Sequence, residues 1–244
     1  MIRFFSPAFA ILAFTATPAA AAPACPAEPG SAASLCHAID ASDHERFAEA
    51  AAAFEQAAAD SPAGQPRTQR MLAAAGNMWI AAGQPGKAAL DLDRALVGTG
   101  LQAEQRGLAL VDRARAAESQ NDLKAARRFV TEAATTVGDD PFTWYFSAAL
   151  AVREGDLPLA KSSIGRALTL APAMPEALFE AGHIANASGD AAAARDYWTR
   201  TIAADPTSKV AASARQALAE IGQPLVLPTP GPAKPAPAPV KKGK

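Results

Sequence analysis

Asn121-Asp122, Gly155-Asp156 and Gly189-Asp190 recur at intervals of 34 residues, and the chain around them recurs in step. Ala126, Ala160 and Ala194 keep the same spacing, as do Val130, Ile164 and Trp198, then Ala133, Ala167 and Thr201, then Gly138, Pro172 and Pro206. A fixed period of this length marks a solenoid, in which each unit is one supersecondary element that cannot bury its apolar face alone. Stacking of units then supplies the core, so the period sets the architecture before any single residue is considered.

The residues inside one period show what the unit is. From Pro141 to Glu154 the apolar residues Trp144, Ala148, Leu150 and Ala151 fall at helical spacings. Gly155-Asp156 stops that helix, because Gly accepts the left-handed geometry at a helix C-terminus and Asp caps the next helix. Leu157, Ala160, Ile164, Ala167 and Leu168 then form a second apolar stripe, ended by Pro172. Pro175 suits the first turn of the helix that follows. Each period is therefore an antiparallel helix pair, with small residues where the two axes come closest.

This pattern resembles the tetratricopeptide repeat family, whose unit carries an aromatic or Leu early in its first helix, a small pair, and an Ala-rich second helix ending in Pro. Trp144, Ala148, Gly155, Ala160, Ile164, Ala167 and Pro172 fill those places in one unit. Leu178, Ala181-Gly182, Ala185, Gly189, Ala194, Trp198 and Pro206 fill them in the next. The preceding unit has Leu110, Ala114, Ala117, Asn121, Ala126, Val130 and Ala133, with Gly138 in place of the closing Pro. Upstream, Leu72, Ala75-Gly76, Trp79, Gly83, Ala88, Leu92 and Ala95 match in phase, with about four extra residues before the successor unit. Ala50, Phe54, Ala57 and Pro62 mark the second helix of a further N-terminal unit, whose first helix is expected over residues 31–41. The resemblance implies an all-α, right-handed α-solenoid over residues 31–208, with four full helix-turn-helix repeats, a possible fifth, and irregular joins near residues 65–68 and 103–106. Residues 209–222, with Val210, Ala214, Ala217, Leu218 and Ile221 on one side, are expected to form a capping helix. An unrelated Ala-rich bundle has no reason to keep the period, and a Sel1-like repeat needs a longer unit and a different Gly placement.

The ends differ in composition from the repeats. Arg3, the uncharged stretch Phe4–Ala16 and the small residues through Ala24 read as a secretory signal peptide over residues 1–24, cleaved after Ala21 or Ala24. Its apolar core is too short to span a membrane, so no transmembrane span is expected after cleavage and the chain is expected to be periplasmic or secreted. Cys25 and Cys36 are the only cysteines. In an exported chain they are candidates for a disulfide closing a loop of about ten residues. Lipoprotein anchoring at Cys25 is the other reading, but Ala22-Pro23-Ala24 departs from the Leu three positions before the Cys that such signals use. Residues 223–244, rich in Pro, Ala and Lys, read as a disordered extended tail carrying a local charge of +4 from Lys234, Lys241, Lys242 and Lys244. A basic tail of this kind also allows peripheral contact with the cell wall or a membrane, which would make the chain an architectural envelope protein.

Chemistry is hard to place in this chain. No nucleophile, zinc, P-loop or dinucleotide motif occurs, and Cys25, Cys36 and His37 lack a fourth ligand for a metal. Neither catalysis nor a cofactor is expected. Asp139-Asp140 is better explained by helix capping than by acid–base work, and Asp91 and Asp93 are expected to be solvated. A formal net charge of −1 without a basic patch argues against nucleic acid as a partner.

The family resemblance implies that the first helix of each unit lines a concave surface that binds an unidentified protein or peptide. The residues in that place are Arg70, Ala73, Asn77 and Ile80, then Leu108, Val111, Arg115 and Glu118, then Phe142, Tyr145, Ala149 and Val152, then Glu176, Phe179, His183 and Asn186. Of these, Asn77, Arg115, Phe142, Tyr145, Phe179, His183 and Asn186 are the candidate contacts, and the three aromatics with His183 and Asn186 are expected to gather at the C-terminal end of the groove. Family members that bind chaperone tails use Lys, Asn and Arg as a carboxylate clamp. Here Ala73, Val111 and Asp112 stand in clamp places, which removes that ligand from the expectation.

Overall fold

One backbone device closes five helix pairs, the first of them at Glu45 (φ 57°), after which the Arg46 N–H reaches back to the Ala41 carbonyl at 2.8 Å. The residue at the turn takes a left-handed conformation at Gly83 (φ 69°), Asn121 (62°), Gly155 (77°) and Gly189 (81°). The next N–H then reaches back to a carbonyl one turn inside the first helix: Gln84 to Trp79, Asp122 to Ala117, Asp156 to Ala151 and Asp190 to Ala185, all at 2.8–2.9 Å. The carboxylates of Asp122, Asp156 and Asp190 turn forward and accept the N–H of Ala125, Leu159 and Ala193 at 2.9–3.0 Å. The same dipeptide therefore ends one helix and starts the next.

In the computed structural model, residues 25–62 and 65–221 are described. The expected signal peptide and Pro-rich tail lie outside the described residues. Among the described residues the helices are α1 (Ser31–Asp43), α2 (Phe47–Ala59), α3 (Pro66–Ala81), α4 (Pro85–Val97), α5 (Ala103–Ser119), α6 (Leu123–Ala133), α7 (Pro141–Glu154), α8 (Leu157–Leu170), α9 (Pro175–Ala187), α10 (Ala191–Ala204) and α11 (Lys209–Glu220). Helices adjacent in sequence pack against each other, and α3 touches α5, α7 touches α9, and α9 touches α11. The result is an all-α repeat fold of helix pairs. Helices α1 and α2 pair at its start, and α11 closes its end.

The close approach inside each pair follows a size rule. Gly76 faces Leu92, Ala114 shares a cluster with Val130, Ala148 shares one with Ile164, and Gly182 faces Trp198. Glycine stands opposite Leu92 and opposite Trp198, the largest of the four; a Cβ on Gly76 would come within 2.5 Å of Leu92 Cγ, and one on Gly182 would run into the Trp198 indole. Trp198 Nε1 donates to the Phe179 carbonyl at 3.2 Å, which fixes the ring across α9. Small residues thus bring the axes together, and one large residue per pair fills the space.

Local findings refine the sequence expectations. The irregular joins expected near residues 65–68 and 103–106 fall at the starts of α3 and α5, whose first turns begin at Pro66 and Ala103. Gly107 permits the longer α5, because a Cβ there would lie 2.7 Å from Val137 Cγ1. Asp140 caps α7 through the N–H of Thr143 at 2.9 Å. Asp91, expected to be solvated, is instead buried at 3 % exposure. It faces Glu55 of α2, and Arg94 Nη1 donates to its Oδ1 at 3.2 Å. Glu55 in turn accepts the Trp79 indole N–H at 2.7 Å. Burial, a hydrogen bond with Glu55 and the Glu55 charge push the Asp91 carboxyl up to about 6, against the pull of Arg94. Asp93 stays exposed and pairs with Arg113 at 2.7 Å. Cys25 and Cys36 are disulfide-bonded with Cα atoms 5.6 Å apart, tying the segment before α1 to that helix.

Candidate partner-binding face

The first helices α3, α5, α7 and α9 carry the candidate residues, and each helix supplies them from one stripe, because side chains three and four apart share a face. The middle of this row is a connected track. Asn77 Nδ2 of α3 donates to Asp112 Oδ2 of α5 at 2.8 Å, and Arg115 Nη1 donates to Asp112 Oδ1 at 2.9 Å. The Arg115 guanidinium lies 5.7 Å from the Phe142 ring centre, and Phe142 meets Tyr145 at 5.6 Å with a tilt of 54°. Asn77, Arg115, Phe142 and Tyr145 are thereby brought together, with Asp112 as the hub.

Asp112 is the member of this track that the sequence did not single out. It entered there only as a departure from the carboxylate clamp, and its link to Asn77 spans two repeats. Burial pushes its carboxyl up, while the Asn77 hydrogen bond and the Arg115 charge pull it back. Tyr145 leans toward α9: burial raises its hydroxyl, Glu180 and Glu176 raise it further, and Arg115 lowers it. Burial alone raises Glu180. The track therefore runs from a neutralised Asp–Arg pair, across two aromatic rings, to two carboxylates on α9.

Phe179 and His183 do not join it. The two rings stack edge to face at 4.4 Å, and His183 stacks on Trp198 at 5.3 Å. Phe179 packs against the cluster of Ala185, Ala194, Trp198 and Ala214 that unites α9, α10 and α11. Burial lowers the His183 pKa, because taking the ring out of water disfavours its charged form. Asn186 is half-buried at the end of α9. Val111 leaves the face altogether: at 3 % exposure it belongs to the core with Leu110, Ala133 and Val137.

At the N-terminal end, α1 and α3 frame an open pocket of about 440 Å³ over Leu35, Phe54 and Met71, with Arg67 and Arg70 at its edge. No sequence signal marks it, because α1 carries no repeat marker. Among the described residues no group of three or more His, Cys, Asp or Glu side chains could hold a metal. None of the described helices is long and apolar enough to cross a membrane.

The sequence profile described as tetratricopeptide repeat matches residues 37–104 and 147–209, together more than half of the chain. The chain belongs to the tetratricopeptide repeat family. The stretch without a match begins in the lengthened α5 and includes Gly138, where the repeat lacks its Pro. Among solved structures, the chain is similar to PilW, described as a widely conserved type IV pilus biogenesis factor, at 18 % identity and a TM-score of 0.63 over 75 % of this chain and 81 % of that one. It is also similar to PilF of Pseudomonas aeruginosa, at 14 % identity and a TM-score of 0.62 over 77 % and 82 %. YrrB, described as a TPR protein with an unusual peptide-binding site, aligns at 17 % identity and a TM-score of 0.55 over 76 % and 92 %. At these identities the likeness is one of fold. No curated protein matches the sequence.

Proposed function

We propose that this chain is a non-catalytic adaptor of the bacterial cell envelope that binds a protein or peptide segment along its first-helix row. One observation carries the proposal: the track from Asn77 through Asp112, Arg115 and Phe142 to Tyr145 crosses three successive first helices without a break. Half-buried aromatic rings beside fixed polar groups are what interface anchors are made of, because large rigid rings gain contact area at little entropic cost. The Cys25–Cys36 bond supports an oxidising compartment, in keeping with the export expected from residues 1–24. The pilus biogenesis factor and the peptide-binding protein among the similar folds are compatible with an envelope adaptor.

A photo-crosslinking residue in place of Tyr145, introduced into the full chain in living cells, tests the reading. A discrete adduct from position 145 is expected, and none from position 166 on α8. Equal adducts from both positions, or none from 145, would remove the row as the binding face.

A further inference from the structure

The pocket between α1 and α3 differs from the rest of the first-helix row in one respect: its cations have no partner. Arg106 pairs with Glu132, Arg113 with Asp93, Arg115 with Asp112 and Arg153 with Glu118, so the arginines of α5 and α7 are all neutralised. Helices α1, α3, α5, α7 and α9 contain no lysine. Among the described residues, Arg67 and Arg70 are the cations of this row without a carboxylate in ion-pair reach. Both are exposed and border the same pocket.

Beneath them the pocket is apolar. Leu35 comes from α1, Phe54 from α2 and Met71 from α3. Ile39 stands one turn beyond Leu35 on α1 and is 50 % exposed, which extends the apolar strip along the helix. A volume of about 440 Å³ accepts one large side chain with room for the backbone that carries it. Arg67 and Arg70 are one helical turn apart, which separates their Cβ atoms by about 5–6 Å. Neighbouring residues of an extended chain rise about 3.3 Å each, and successive side chains point to opposite sides. When one apolar side chain points down into the pocket, the residues on either side of it project up toward the two long guanidinium groups.

We propose that this pocket binds an internal, extended acidic segment of a partner protein, in which a Phe or Leu is flanked by Asp or Glu. The apolar side chain fills the space over Leu35, Phe54 and Met71, and the flanking carboxylates pair with Arg67 and Arg70. This rests on the adaptor reading and adds the chemistry of what the adaptor takes.

The test uses the full exported chain and randomised heptapeptides displayed between Gly-Ser spacers, so that no peptide end is free. Enrichment of Phe or Leu between acidic residues is expected, with binding weakened about tenfold by Arg67→Glu combined with Arg70→Glu and weakened further by salt. Circular dichroism on the double variant shows whether the helices survive. The variant Leu35→Asn is expected to lose the same peptides while leaving both guanidinium groups unpaired. Selection of peptides lacking acidic residues, or of acidic ones indifferent to the double reversal, would overturn the pocket assignment while leaving the adaptor reading intact. Binding seen only in a companion library with free C-termini would overturn the internal segment. Selection of no peptide from either library, together with no crosslink from position 145, would overturn both readings.

Discussion

Tyr145 and Phe179 occupy the same place in successive repeats, 34 residues apart, and they do different work. Tyr145 lies between Arg115 and the carboxylates of α9, at the end of a track that begins on α3. Phe179 turns to His183 and packs with Trp198 and Ala214, joining the last full pair to α11. The cause is what comes next in the chain. Among the described residues, repeat α7–α8 is followed by another complete pair, whereas α9–α10 is followed by the one helix α11. Trp198 stands where the previous pair has Ile164, and its bulk recruits the aromatic and imidazole rings of α9 into the core. A repeat position therefore specifies a place, and the neighbouring unit decides whether a side chain there faces a partner or closes the fold.

The severest way to break the comparison is to remove what recruits Phe179. Trp198→Ala is expected to cost about 3–5 kcal/mol, the usual loss for a buried Trp whose cavity cannot collapse. Hydrogen exchange should show lost protection in α9–α11 with α3–α5 little changed. Uniform loss along the chain would mean that the two ends are not energetically separate.

Titration separates the ends by charge. Asp91 belongs to the N-terminal half, and its folded pKa of about 6 lies above the ordinary 3.8. Between these values the folded state holds more protons than the unfolded one, so stability is full below pH 4, falls as pH rises toward 6, and is level above. The total is about 2–3 kcal/mol. His183, at the other end, has a lowered pKa, so its contribution is present above pH 6.5 and is lost as pH falls below it. Denaturant melts of Asp91→Asn across pH 4–7 should show most of the acid-side gain gone, with Asp112 and Glu180 supplying the remainder. An unchanged slope would assign the dependence elsewhere.

A direct sharpening pairs the two rings. Phe179→Ala is expected to lower stability by about 2 kcal/mol and Tyr145→Ala by about 1 kcal/mol, since the first leaves a gap in the cluster of Trp198 and His183, whereas Tyr145 packs against a cluster made mostly of alanines. Partner capture should show the reverse order, with the larger loss at Tyr145. Equal losses of stability would place both rings in the core.

Much of this was legible in the sequence because its causes are local. Gly155-Asp156 ends and restarts a helix within two residues, and the period repeats that signal, so helix pairs, phase and the small positions at Ala148 and Gly182 could all be read. What escaped involves residues far apart in the chain. Asp91 looked like one of two solvated acids on α4; its burial depends on Glu55 of α2, 36 positions earlier, and on the Trp79 that holds Glu55. Val111 follows the groove register, but it packs into a core with Ala133 and Val137. Phe179 and His183 stack on each other and on toward Trp198, and repeat spacing carries no information about the bulk of that ring. The pocket at Arg67 and Arg70 needs α1, α2 and α3 together.

The mildest expected effect is also the closest probe of the track. Asn77→Ala removes one hydrogen bond to Asp112 and leaves Arg115 at 2.9 Å on the other oxygen. The loss should be about 1 kcal/mol, the common worth of a hydrogen bond to a partly buried charged group that keeps a second partner. The Asp112 carboxyl should titrate at higher pH in this variant, because burial then acts against Arg115 alone. Carbon-13 NMR of the side-chain carboxyl reads this directly. Tyr145, linked to Asp112 only through Arg115 and Phe142, should keep its partner crosslink. If Asn77→Ala abolishes that crosslink without unfolding α3, the α3–α5 hydrogen bond orders the whole track, and the binding face begins one repeat earlier than its aromatic rings.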